Sequence, residues 1–219
     1  NAATGTKRAF LFGGGPAEVE VHMASSWKQL STMGIAGAVL LLLGANGDGC
    51  GGSLPVTEPG TTIRMELGQG ADFYAAPFPS EHRRRADGTL DVAGFPNPGG
   101  IGLVDVIVDI LSRDADGFGA TSGIFFTTTG ALDPSSLPDM RASVEAGSPV
   151  FLISVDLDAP DFGRRYPIEV GFEVDGGPFG APNLLAVLPY QGVPLRPGTL
   201  YAAVVRRSVR DASGEGLGT

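Results

Sequence analysis

The chain is poor in the residues that carry most protein chemistry. Its 219 residues hold a single cysteine, Cys50, so no internal disulfide can form. The two histidines, His22 and His82, are too few to complete a zinc centre with that cysteine. The one tryptophan, Trp27, precedes Cys50, so the later chain has no indole platform for a sugar ring. Only Tyr74, Tyr166, Tyr190 and Tyr201 remain for that purpose. No Walker-type phosphate loop and no internal repeat occur, and no cofactor is expected. Long apolar runs are also missing. The longest, residues 34–45, is uncharged for 12 residues, well short of the roughly 20 that a membrane-crossing helix needs.

Charge narrows the field further. Lys7, Arg8 and Lys28 balance Glu18, Glu20 and Asp48, so the whole net charge of −9 falls on the chain from Cys50 onward. No lysine follows Lys28; every later cation is an arginine. An acidic domain repels phosphate backbones, which excludes nucleic acid as an expected partner.

What is present begins with an address. Met23, a short stretch with Lys28, the apolar run and then Gly49-Cys50 follow one another as in an export signal. The segment Gly47-Asp48-Gly49-Cys50 resembles the bacterial lipobox, in which the cysteine thiol is diacylated and becomes the new N-terminus. The sequence departs from that pattern at Gly47, where the family usually has Leu, and at Asp48. The resemblance implies lipidation at Cys50 and a membrane partner reached through it; two acyl chains anchor stably where one is marginal. The alternative is an unmodified thiol in a glycine-rich linker. Residues 1–22 read as an upstream overhang, 23–49 as the signal, 50–60 as a Gly/Pro tether and 61–219 as a β-domain cut short at its C-terminus.

From Thr61 the pattern is one of strands. "TTIRMEL" alternates Ile63, Met65 and Leu67 against Arg64 and Glu66, the period of a half-buried strand. Residues 122–129, 149–157, 168–174, 183–190 and 200–207 are further runs rich in β-branched and aromatic residues, separated by Gly, Pro, Asp and Asn. "LYAAVV" is apolar on both faces and is predicted to be a central strand. In 168–174, Ile168, Val170, Phe172 and Val174 share one face, so this strand should be half-buried. Residues 100–117 differ: Leu103, Ile107, Ile110 and Leu111 recur at helical spacing and Gly117 supplies a stop. Val104, Val106 and Val108 keep a strand reading open, but a helix fits better, and it is a candidate cover for Leu152. The fold expected is mainly β, an Ig-like antiparallel sandwich with one helix.

Five segments, "APFPSEHRRRADGTLDVAGFPNP", "ADGFGATSGIFF", "ALDPSSLP", "VFLISVDLDAPDFGRRYPIEV" and "PLRPGTLYAAVVRRSVRDASGEGL", occur in this order. Together they resemble the N-terminal region of large myxobacterial-type lipoproteins. More remotely they are similar to the N-terminal domain of bacterial virulence-factor lipases, an Ig-like region ahead of an α/β-hydrolase. The resemblance covers most of residues 61–217. It implies a fold; its motifs mark strands and turns rather than chemistry.

Catalytic and metal candidates are sparse. Gly119-Ala120-Thr121-Ser122-Gly123 is the nearest approach to a nucleophile elbow, but Thr121 stands where the serine belongs and a strand pattern follows. A triad would have to recruit His82, forty residues before Ser122. Asp156, Asp158 and Asp161 offer hard oxygen ligands at a strand end, a weak calcium candidate without the EF-hand loop. Asp114 and Asp116 form another acidic turn. The basic spots "EHRRR" and "GRRYP" suit anionic lipid phosphates, or carboxylates on their own surface. The sequence therefore predicts a non-catalytic Ig-like domain of an exported lipoprotein, a spacer or interaction module at the cell envelope with a protein or envelope partner. The alternative is the accessory domain of a membrane-anchored lipase or esterase whose catalytic part lies beyond residue 219.

Overall fold

Apolar residues on alternate positions drive five of the predicted segments into strands, and a sixth, short strand forms where Arg165 and Tyr166 meet a neighbour. The structure, a computed structural model, describes residues 60–67 and 71–218. The elements are α1 (Gly102–Asp114), β1 (Ile124–Thr127), β2 (Val150–Ser154), β3 (Arg165–Tyr166), β4 (Ile168–Glu173), β5 (Leu184–Pro189) and β6 (Tyr201–Val205). Short 3-10 turns lie at Glu81–Arg83, Pro134–Ser136 and Ala142–Val144. The strands form two antiparallel sheets of three, ordered β1-β5-β4 and β3-β2-β6. The chain is thus mainly β with one helix. The anchor reading at Cys50 and the divisions 1–22, 23–49 and 50–59 lie outside the described residues.

Both sheets feed one buried cluster. Val150 and Leu152 of β2 and Tyr166 of β3 meet Ile168, Leu185, Val187 and Phe126 of the other sheet. Val209 and Leu217 close the same cluster from the last segment of the chain. On the opposite face of β2, Phe151 and Ile153 pack with Ala202 and Val204 of β6. Every residue of β2 is buried, because it has a strand on each side and apolar contacts on both faces. Pro167 separates β3 from β4 and marks where the chain passes from one sheet to the other; it has no N–H to lose from a ladder.

Three expectations need correction. Residues 61–67 form no strand: Ile63 makes one bridge to Thr128, Arg64 N donates to Thr127 O, and Glu66 N then turns to Ala75 O. The segment leaves β1 after one contact, so its alternation never becomes a ladder. Second, β6 is an edge strand and β2 the central one. Tyr201, Ala203 and Val205 of β6 pack toward the cluster between the sheets, while Ala202 and Val204 are buried beside Phe151 and Ile153 of β2, so both faces avoid water without a second neighbour within the sheet. Third, the helix forms within the predicted span but does not cover Leu152, whose face is filled by the other sheet.

The half-buried pattern predicted for 168–174 occurs in β4, where Ile168 is buried, Val170 and Phe172 are partly so, and Glu169 and Glu173 are exposed. Val174, expected on the same face, lies past the strand's end and is exposed. Helix α1 is held by polar ties at its two ends. Asn97 Oδ1 accepts from Ile101 N, while its Nδ2 donates to Ile101 O and Asp105 Oδ1. Near the other end Arg85 donates to Ser112 O at 2.9 Å. No residue of α1 is buried, and Leu103, Val106, Ile107, Ile110 and Leu111 are all exposed. No helix among the described residues is long and apolar enough to cross a membrane.

Candidate functional site

The two sheets leave a gap where β1 of one faces β6 of the other. There a cleft of about 990 Å3 opens, walled by Ile124 and Phe126 on one side and by residues 195–203 on the other. Met65, Leu67 and Phe118 add further apolar surface. Its polar groups are Glu81, His82, Arg84, Asp116, Ser122 and Arg196. The volume lies at the upper end of ordinary ligand pockets, which run to about 1,000 Å3. No single motif predicted this cleft, because its walls come from four separated stretches of chain.

Ser122 and His82 both line it, which sequence reasoning did not foresee. They do not form a catalytic pair: among the described residues no hydrogen bond joins them. Ser122 N donates to Gly119 O at 3.0 Å, closing a turn that delivers the chain into β1. A Cβ placed on Gly119 would lie 2.5 Å from Ser122 Oγ, so the hydroxyl sits folded over its own turn. A nucleophile elbow needs the opposite, a serine thrust outward between a strand and a helix.

The basic run "EHRRR" is consumed in structure. Arg83 lies 4.0 Å over the Phe73 ring and donates to Phe73 O at 2.6 Å and Asp91 O at 3.2 Å. Burial pulls its pKa down, with Asp91 opposing. Arg84 grips Glu81 through two bonds of 2.7 and 3.0 Å, which raises its pKa, and reaches Asp116 O as well. Arg85 binds Leu90 O, Ser112 O and Asp91. The run therefore ties the loop before the helix to the end of α1.

"GRRYP" behaves differently. Arg164 lies over Tyr166, whereas Arg165 and Arg206 both lie over Phe151, at 3.9 and 5.0 Å. Both guanidinium groups donate to Ala146 O. Burial lowers the Arg165 pKa and the neighbouring Arg206 charge lowers it further. Neither has a carboxylate partner among the described residues, contrary to the usual pairing of surface arginines.

The calcium candidates are not brought together. Asp156 Oδ1 accepts from Asp158 N at 3.1 Å, a local turn. Asp161 instead accepts from the Tyr166 hydroxyl, which holds its carboxyl below the usual range. Arg196 Nε lies 3.6 Å from Asp161 Oδ1. Asp114 ends α1, and Asp116 offers its carbonyl to Arg84. Among the described residues no group of three or more acids, histidines or cysteines is placed to hold a metal ion. Tyr74 and Tyr166 are buried, so neither is an exposed platform for a sugar.

Comparison with protein-family models, curated proteins and solved structures found no match to this chain.

Proposed function

We propose that this chain is a non-catalytic Ig-like β-sandwich domain of an exported bacterial lipoprotein. It is held at a membrane of the cell envelope through acylated Cys50 and serves there as a spacer or interaction module. One observation carries the reading: the only cysteine stands a short Asn-Gly-Asp-Gly step after a charged start and an apolar run too short to span, and directly before a Gly/Pro tether. The sharing of one buried cluster by two antiparallel sheets supports the sandwich. The non-catalytic reading is supported by Ser122, which folds over its own turn, and by His82, whose ring makes no hydrogen bond or ion pair with a carboxylate among the described residues.

Expression from Met23 in a Gram-negative host with labelled fatty acid tests this directly. The chain should take up label and partition with membranes, and the Cys50→Ser variant should do neither. Equal membrane association of both forms with label in neither overturns the lipoprotein reading. The same preparation should not turn over short p-nitrophenyl esters. Activity that survives purification and vanishes in Ser122→Ala or His82→Ala would favour a hydrolase.

A further inference from the structure

The two sheets have four edges, and three are closed to further pairing. Beside β1, Phe78 and Phe125 exchange backbone bonds of 3.0 and 2.6 Å, and Arg64 N donates to Thr127 O. β4 carries the exposed charges Glu169 and Glu173, and β3 is two residues long. Charge, shortness and cover are the ordinary protections of a sheet edge. β6 has none of them. Tyr201–Val205 is uncharged, free of proline and without a backbone partner on its outer side among the described residues.

The phase of the ladder says which groups are unpaired. Arg206 N donates to Pro149 O at 2.8 Å and Val155 N to Leu200 O at 3.0 Å. In the observed register, Ala202 and Val204 therefore bond β2, and Tyr201, Ala203 and Val205 turn their N–H and C=O groups outward. The free stretch ends just beyond Val205, because Arg207 O accepts from Leu217 N. The outward residues are not sealed: Tyr201, Ala203 and Val205 are only partly buried, and residues 198–203 border the cleft beside β1.

We propose that β6 pairs antiparallel with β6 of a second copy of this chain, about a twofold axis at Ala203. In that register Ala203 faces Ala203 and Tyr201 faces Val205, so every outward group of one copy meets an outward group of the other. Each facing pair exchanges both of its bonds. No like charges oppose, since Arg206 falls opposite Leu200 and Arg207 opposite Thr199. This self-complementarity is what selects a second copy: the uncharged, apolar, extended strand that the edge requires is the edge itself. The two sheets join as β3-β2-β6-β6-β2-β3, an isologous contact that closes on itself. The pairing does not depend on acylation of Cys50.

Sedimentation equilibrium of the full chain in neutral-detergent micelles, combined with residue-resolved amide exchange, tests the proposal. A dimer should populate as concentration rises. Exchange at Tyr201, Ala203 and Val205 should slow by about tenfold or more, while Ala202 and Val204, bonded within the sheet, should not change. Ala203→Pro removes an outward N–H, which an edge strand tolerates, and should give a monomer with native circular dichroism. Ala203→Ser keeps the N–H and should dimerise like the parent. A monomer at every concentration overturns the proposal. So does a dimer that leaves those three amides unprotected, since it joins elsewhere. Protection independent of concentration also overturns it, by showing that another part of the chain covers the edge. Should Ala203→Pro fail to fold, exchange in the parent chain decides alone.

Discussion

The rings of Tyr166 on β3 and Tyr201 on β6 meet edge to face, 5.4 Å between centroids, spanning the central strand β2. Each hydroxyl is engaged. Tyr166 donates to Asp161, and Tyr201 accepts from Arg196 N at 2.8 Å. The two tyrosines thus fasten the loops after β2 and before β6 to the sheet between them.

This arrangement predicts an acid-sensitive fold. The Tyr166 hydrogen bond holds the Asp161 carboxyl below its ordinary pKa. A group depressed in the folded state stabilises fully above its unfolded pKa of about 4, and that stabilisation is lost as pH falls through the folded value. The same bond pushes the Tyr166 pKa up. Its contribution is therefore fully present below about pH 10, the unfolded value, and is lost as pH rises from there through the higher folded value. Tyr166→Phe should lower the melting temperature at neutral pH and shrink the fall in melting temperature on acidification. A variant with an unchanged acid profile would show that the bond does not couple to stability.

Leu152 and the apolar face of α1 should respond oppositely to substitution. Leu152 is fully buried between the sheets, so Leu152→Ala should cost about 2–5 kcal/mol in chemical denaturation. Ile107 and Ile110 are 46% and 44% exposed, so replacing both with Lys should change stability by no more than about 0.5 kcal/mol each. A large loss in the double lysine variant would mean that α1 covers part of the core.

Arg83 should not tolerate lysine. Its guanidinium stacks on Phe73 while donating to two carbonyls, a planar, multi-donor role that an ammonium cannot fill. Arg83→Lys should destabilise by about 1–2 kcal/mol in the same denaturation assay. An equal or greater stability would assign the "EHRRR" run to something other than structure.

Period-2 and period-3.6 patterning is a local property, and where burial follows it the sequence alone determined the outcome. The half-buried face of β4 and the existence of α1 are of this kind. Composition alone likewise bounded the chemistry, since one cysteine and two histidines limit any metal or nucleophilic centre. Which strands neighbour which was decided only by tertiary structure. "LYAAVV" reads as central because both faces are apolar, yet β6 ends at an edge: burial from above and below leaves the same signature as burial between two strands. The alternation at Ile63, Met65 and Leu67 is equally regular, but no strand accepts that segment beyond one bridge. The cleft was invisible for a similar reason. Ser122, His82 and Arg196 are far apart in sequence, and only the placing of β1 and β6 on opposite sides of one cleft brings them to one surface. Side-chain pattern records which faces avoid water; backbone hydrogen bonds, which every residue can make, choose the neighbours, and they leave no mark in the order of side chains.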